Sequence, residues 1–523
     1  MELELDTPTI AREVPIKNKR RAGISATNQV KAHLYDKGLQ VTQQIFTANN
    51  YINYTYDKIG QLKMARGWES DDVTPRLQEQ FGYAYDAAWN LNQRTNNALI
   101  QSFAVNTLNE LTIATNRGTL TVAGTTTEGD SNYVNNGVFS VTVNGQAASV
   151  YFDGTFAAPG FTPANGNNTF KAIAQDGYGR FDTNSVTVYL PATNTYSYDL
   201  NGNLLTDGTR HFTYDDENQL VSVWVANTWS NNFMYDGLLR KRIERDYAWN
   251  GSSWVKTNEV RFVYDDNLVI QERDINNLPQ VTYTRGNDLS GTMQGAGGIG
   301  GLLARTDMGQ WIIGSPTAHA YYHADGNGNI TMLINGYQAI VAKYLYDPYG
   351  NTLSLGGSLA SANKFRFSSK EWNDNAGLYY YLYRYYDPNL QRWPNRDPIT
   401  ELGFALLMSP NVTASDDGST FSTGVVREDE GDVNLYSFVV NEPILLVDTY
   451  GCLPPGKWWP WNWHWKKIRK LFPPYQLPKP FPPGSTCSPT WSPKGFEIVI
   501  PLGGPGTPPS TGPSLPLPQN PSQ

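Results

Sequence analysis

A Tyr-Asp unit returns along most of this chain, and it limits the fold more than any other feature. It reads TYDKIGQL at 55–62, AYDAAWNLN at 84–92, SYDLNGNLL at 197–205, TYDDENQLV at 213–221, MYDGLLRKR at 234–242 and LYDPYGN at 345–351. A short segment that repeats itself points to a stack of identical supersecondary units, and here the unit is a hairpin. Its Asp opens the turn and can accept hydrogen bonds from backbone N–H groups two or three residues on. Gly60, Gly202 and Gly350 each stand three residues after their Asp and supply the positive φ that such a turn needs. Asn218 holds the same offset and is the next best left-handed residue. Leu239 stands where the glycine belongs, so the turn at Asp236 is expected to differ. The flanking Tyr and Leu alternate with polar residues, as in strands with one buried face.

Bulk properties agree with strands and exclude several classes. Of the 523 residues, 32 are Tyr and only 17% are charged, which favours strands and turns over helices. The length allows two or more domains. A net charge of −8 gives no general reason to expect nucleic-acid binding. No apolar run reaches membrane-spanning length, and the N-terminus lacks the apolar stretch of a secretory signal. The two cysteines, Cys452 and Cys487, cannot make a disulfide framework.

The repeat stops between about 117 and 192. RGTLTVAGTT, GVFSVTVNGQAASVYF and NNTFKAIAQDGYGRFDTNSVTVYLP give short alternating strands with turn signals between them, the pattern of a small β-sandwich. After Leu453 the composition changes again. Residues 453–523 hold 19 of the 33 prolines, and seven basic residues face the single acid Glu497. Such a segment cannot build an ordinary core and is expected to be extended or disordered.

VAKYLYDPYGN at 341–351, FRFSSKEWNDNAGLYYYLYRYYDPNLQRWPNRDPI at 365–399 and NLYSFVVNEPILLVDTYG at 434–451 together resemble the core domain of RHS (rearrangement hot spot) repeat proteins, the family of the Tc-toxin C subunit and the teneurin YD-shell. The resemblance implies an all-β chain whose Tyr-Asp hairpins build a partial shell. The expected order is an N-terminal segment, partly disordered, at 1–50, repeats at 51–117, an inserted immunoglobulin-like β-sandwich at 118–191, repeats at 192–362, the core at 363–452 and a Pro/Trp-rich variable tail at 453–523. It also implies that the shell encapsulates or presents that tail at or outside a bacterial cell surface, either secreted or surface-bound. Because closed shells of this family come from longer chains, an upstream shell-completing chain or a secretion partner is an expected partner.

Family shells often cut themselves with aspartates of the core. Carried over by motif, the pair is Asp397 in NRDPI and Asp448 in VDTYG, with Arg396 beside the first to hold a carboxylate charged or to stabilise an oxyanion. Two close carboxylates can divide the roles of base and acid, and the cut would fall at Gly451, Cys452 or Leu453. This chain departs from the family pattern with DPIT, with DTYG and with a polar insert at 409–433, which disturb a pair that needs fixed geometry. These departures predict a shell that stays uncut, with no enzymatic activity beyond self-cleavage. Self-cleavage by the aspartates and glycan binding by Tyr and Trp faces are the two alternatives.

Other motifs carry less. GAGGIG at 295–300 matches G-x-G-x-x-G but lacks the surrounding βαβ pattern and the later acid, and no Lys-Ser/Thr follows, so no nucleotide cofactor is expected. His319 and His323 have the spacing of a helical metal pair, yet along a strand they stand about 13 Å apart, so no metal is expected. WWPWNWHWKKIRK at 458–470 mixes Trp with cations. Trp458, Trp459, Trp461, Trp463 and Trp465 either pack inside the shell or seat the tail at a membrane interface.

Overall fold

The computed structural model describes residues 10–13, 30–126, 138–398 and 434–452. Leu453, the five tail tryptophans and the 409–433 insert lie outside the described residues.

The turns set the architecture. Asp57 donates its backbone N–H to Gln61 O (2.9 Å) and Gly60 donates to Asp57 O (3.3 Å). The Asp57 carboxylate accepts from the N–H groups of Ile59 (3.0 Å) and Gln61 (2.9 Å). The bonds thus fall two and four residues on, because a left-handed residue adds a bulge to a type I turn. Gly60, Gly202 and Gly350 sit at φ of 97°, 83° and 96°, as the repeat predicts, and Asn218 at 59°. Leu239 corrects the sequence reading, since it takes φ 61° and its turn keeps the same bonds to Asp236 and Arg240. A γ-branched residue in that region costs about 1–2 kcal/mol, which the surrounding ladder sustains.

Hairpin follows hairpin into two antiparallel meanders. Among the described residues, the first sheet has 10 strands in chain order from Ile10–Glu13 to Leu111–Gly118, closed by Thr193–Thr195. The second has 14, from Ser197–Tyr198 to Thr352–Gly356. The wall begins before residue 51, because Val30–Tyr35 and Val41–Phe46 already belong to the first sheet. The turn between them opens on another Tyr-Asp pair, Tyr35-Asp36.

Among the described residues between 120 and 190, the strands form two further sheets of three and four strands. Val141, Val143, Phe156, Ala158 and Phe170 join them in one core. The host ladder continues across the insertion, with Thr115 opposite Thr193 and Asn116 N–H donating to Ala192 O (2.9 Å). The module also docks on the wall. Buried Arg76 of strand Pro75–Tyr85 pairs with Glu69 (2.5 Å), Glu79 (2.7 Å) and Asp153 of the module (2.8 Å).

The segment after Gly356 packs on both large sheets. Its short three-stranded sheet comprises Glu371–Asn373, Leu378–Tyr380 and Tyr385–Tyr386. Tyr379, Tyr381, Tyr386, Trp393 and Phe438 share a buried cluster with Tyr54, Leu62, Phe81 and Tyr83 of the first sheet. Leu378, Tyr380 and Tyr385 do the same with Phe212, Val223 and Phe233 of the second. Each such side chain contributes about 3 kcal/mol of apolar burial. A buried charge pins the register, as Lys241 Nζ holds Glu244 (2.6 Å) and Glu371 (2.8 Å).

Candidate functional site

The two aspartates that the sequence singles out meet at one guanidinium. Asp397 and Asp448 are both buried, and Arg384 Nη2 lies 2.6 Å from Asp397 Oδ2 and 3.9 Å from Asp448 Oδ2. Arg384 is held in the tight turn between Leu378–Tyr380 and Tyr385–Tyr386, where Tyr381 N–H donates to Arg384 O (2.9 Å). Its Cζ lies over the Trp393 ring, 4.1 Å from the centroid, and Nη1 donates to Leu435 O (3.0 Å). Its Nε donates to the carbonyl oxygen of Gly451. One rigid fork therefore touches a carboxylate and the carbonyl at the expected cut, with the second carboxylate beside it.

Asp448 organises the segment that carries this carbonyl. Its Oδ1 accepts from the N–H groups of Tyr450 (3.1 Å), Gly451 (2.7 Å) and Cys452 (3.2 Å). Gly451 sits at φ 76°, and a Cβ there would press within 3.3 Å of Arg384 and Tyr381. Burial pushes the Asp448 carboxyl up from its ordinary range, against the pull of Arg384 and its three N–H donors. Burial also pushes the Cys452 thiol well up, with the Asp397 charge adding to it, so the thiol stays protonated and is a poor nucleophile.

The structure places the remaining residues less centrally. Arg396 packs its stem beside Gly202 and the Tyr436 ring hydroxyl, where a Cβ on Gly202 would meet Arg396 Cδ and Tyr436 Oη at 2.5 Å. The guanidinium that bridges the aspartates belongs to Arg384, which the sequence reading missed. The only signal for it was a cation inside the aromatic run LYYYLYRYYDP. The link over 399–433 does not keep the pair apart, because its far end is pinned. Asn434 donates its side-chain amide to Ala88 O (2.9 Å) and Asn90 Oδ1 (2.7 Å) in the first sheet. His319 and His323 bond separately to Thr306 and Thr331, and no cluster of three or more His, Cys, Asp or Glu side chains suits a metal among the described residues.

Several known proteins are similar to parts of this chain. The family model for glucodextranase, domain B, matches residues 107–191. The tRNA3(Ser)-specific nuclease WapA of Bacillus spizizenii is 27% identical over 268 residues, covering 50% of this chain and 9% of that protein. The double-stranded DNA deaminase toxin A of Burkholderia cenocepacia is 25% identical over 219 residues, covering 39% of this chain and 15% of its own length. A solved structure of the Photorhabdus luminescens Tc holotoxin pore matches 82% of this chain and 19% of that one, at 16% identity and a TM-score of 0.35. The chain thus spans a small part of the curated relatives it matches, which are named for a tRNA nuclease and a DNA deaminase toxin.

Proposed function

We propose that this chain is the closing segment of an RHS-type toxin shell, which encloses its own C-terminal segment and frees it by hydrolysing the Gly451–Cys452 peptide. The observation that carries the reading is the shared guanidinium, which joins Asp397, Asp448 and the Gly451 carbonyl. In the proposed step a water oxygen bonds to the Gly451 carbonyl carbon and its proton passes to Asp397. Arg384 Nε–H stabilises the developing oxyanion. Burial raises the Asp448 carboxyl, and its Oδ1 accepts the Cys452 N–H at 3.2 Å; in the proposed step Asp448 enters in its acid form and gives its proton to the leaving nitrogen as the C–N bond breaks.

The enclosing role draws on the two relatives. They are named for different reactions, yet each matches a large part of this chain, as a common shell with a variable payload would. The outer strands Ile10–Glu13 and Thr352–Gly356 each have one ladder neighbour among the described residues, and such edges can accept further hairpins from an upstream chain or a shell partner. Delivery outside the cell, as a secreted or surface protein, belongs to the same proposal.

The test is substitution within the full chain. Asp397→Asn and Asp448→Asn should each abolish the cut, and Arg384→Lys should slow it by about two orders of magnitude or more, since a point charge cannot serve all three acceptors. Cutting that persists in both Asn variants would refute the assignment. A shell that holds its tail uncut is the second reading, and an intact wild-type chain supports it.

A further inference from the structure

We infer that the glycine-rich loop at 294–300 and Lys370 form a cradle that positions the scissile segment, a function that neither discloses in the sequence. This inference rests on the self-cleavage reading for its purpose, though its geometry stands alone. Lys370 is buried, and its Nζ donates to Thr449 O (2.6 Å) and to Gly297 O (3.1 Å), joining the segment before the cut to the loop. Tyr450 Oη donates to Gln294 O (2.6 Å) one residue further on, and Tyr383 N–H donates to Tyr450 O (3.3 Å) from the other side.

The loop is shaped for this contact. Asp288 Oδ2 accepts from the N–H groups of Ala296 (2.7 Å) and Gly298 (3.1 Å), which curls the chain and turns Gly297 toward Thr449. Gly297 sits at φ 61°, and a Cβ there would lie 2.1 Å from Thr449 O. No other residue fits so close to a backbone oxygen. The glycines that resemble a nucleotide loop thus admit the chain's own backbone as their ligand. Residues 449–451 are held from the loop side by Lys370 and Tyr450, and from the opposite side by Asp448 and Arg384. A scissile carbonyl clamped on two sides stays at its oxyanion donor, and a small misplacement there lowers the rate steeply. Lys370 is in this sense a positioning residue, since it touches the segment before the cut and not the reacting atoms.

Lys370→Met and Gly297→Ala in the full chain test the inference, with Tyr450→Phe as a milder variant that keeps the ring. Each should slow the appearance of the fragment ending at Gly451 at least tenfold. In the uncut Asp397→Asn background, hydrogen exchange should rise at least tenfold at the amides of Tyr450, Gly451 and Cys452 and stay unchanged in the two large sheets. A general loss of structure would raise exchange everywhere, so the local pattern separates positioning from folding. If the wild type is never cut, the cleavage reading fails and the exchange arm alone decides the cradle. Unchanged exchange at 450–452 in both Lys370→Met and Tyr450→Phe would overturn it. Should Lys370→Met fail to fold, Gly297→Ala and Tyr450→Phe decide the question in the same way.

Discussion

Glycine and aspartate at the turns were legible because their requirement is local. A bulged type I turn needs one left-handed residue at a fixed offset, and no distant contact changes that demand. What differs from turn to turn is the neighbourhood. Gly202 at φ 83° faces Arg396 and Tyr436, whereas Gly251 at φ 98° has open space around its missing Cβ. Gly202→Val should therefore cost about 3 kcal/mol and Gly251→Ala about 1 kcal/mol, read as shifts of the urea midpoint. Equal costs would mean that backbone strain alone matters. Arg384 was not legible, since its value lies in three acceptors drawn from segments up to 67 residues away. Lys370 gives a pH test at this scale. Burial pulls its amine down from 10.5 to about 7, with Arg285 adding to this and Asp448 and Asp288 opposing it, beside the Tyr381 and Tyr450 rings. Between these values the unfolded chain holds the proton and the folded chain does not, so this group makes stability rise with pH across that window. Comparing urea midpoints at pH 7 and 9, Lys370→Met should lack that part of the rise. An identical pH dependence in variant and wild type would contradict the burial.

At the scale of elements, the Tyr-Asp rhythm gives way to plain alternation at both ends of residues 120–190, and the described strands there form a module with two sheets of its own. Its docking on the wall was not readable, because Arg76 and Asp153 are ordinary charges in sequence. The pairing matters more than a surface bridge would. Arg76 is buried among Glu69, Glu79 and Asp153, and burial raises the Glu79 carboxyl even with Arg76 beside it. Removing the cation leaves two buried acids unpaired, so Arg76→Ala should destabilise the protein by about 3–5 kcal/mol in urea. A change below about 1 kcal/mol would show that the module rests on the wall without being held by it. Deleting residues 118–191 with a short Gly-Ser bridge should leave the host ladder at Thr115 and Thr193 able to pair, because those partners already face each other. Retained β-signal in circular dichroism checks this, and loss of it would make the module part of the wall.

For the whole molecule, the meander order followed from hairpin after hairpin, and the all-β class from the composition. How the core segment closes the structure could not be read in the same way, because it depends on contacts between distant segments. Its aromatic side chains reach both large sheets, and this double contact brings Asp397 and Asp448 to one place although the link at 399–433 separates them. The departures DPIT and DTYG predicted a disturbed pair, yet Arg384 still binds one aspartate and approaches the other. The pair so placed is proposed to cut the Gly451–Cys452 peptide. Intact mass spectrometry of freshly purified full-length wild type at neutral pH tests it most directly, with Asp448→Asn purified alongside. The wild type should give two species, residues 1–451 and residues 452–523, and the variant a single uncut chain. A wild type that stays at full length, or a variant that is cut at the same peptide bond, would contradict it.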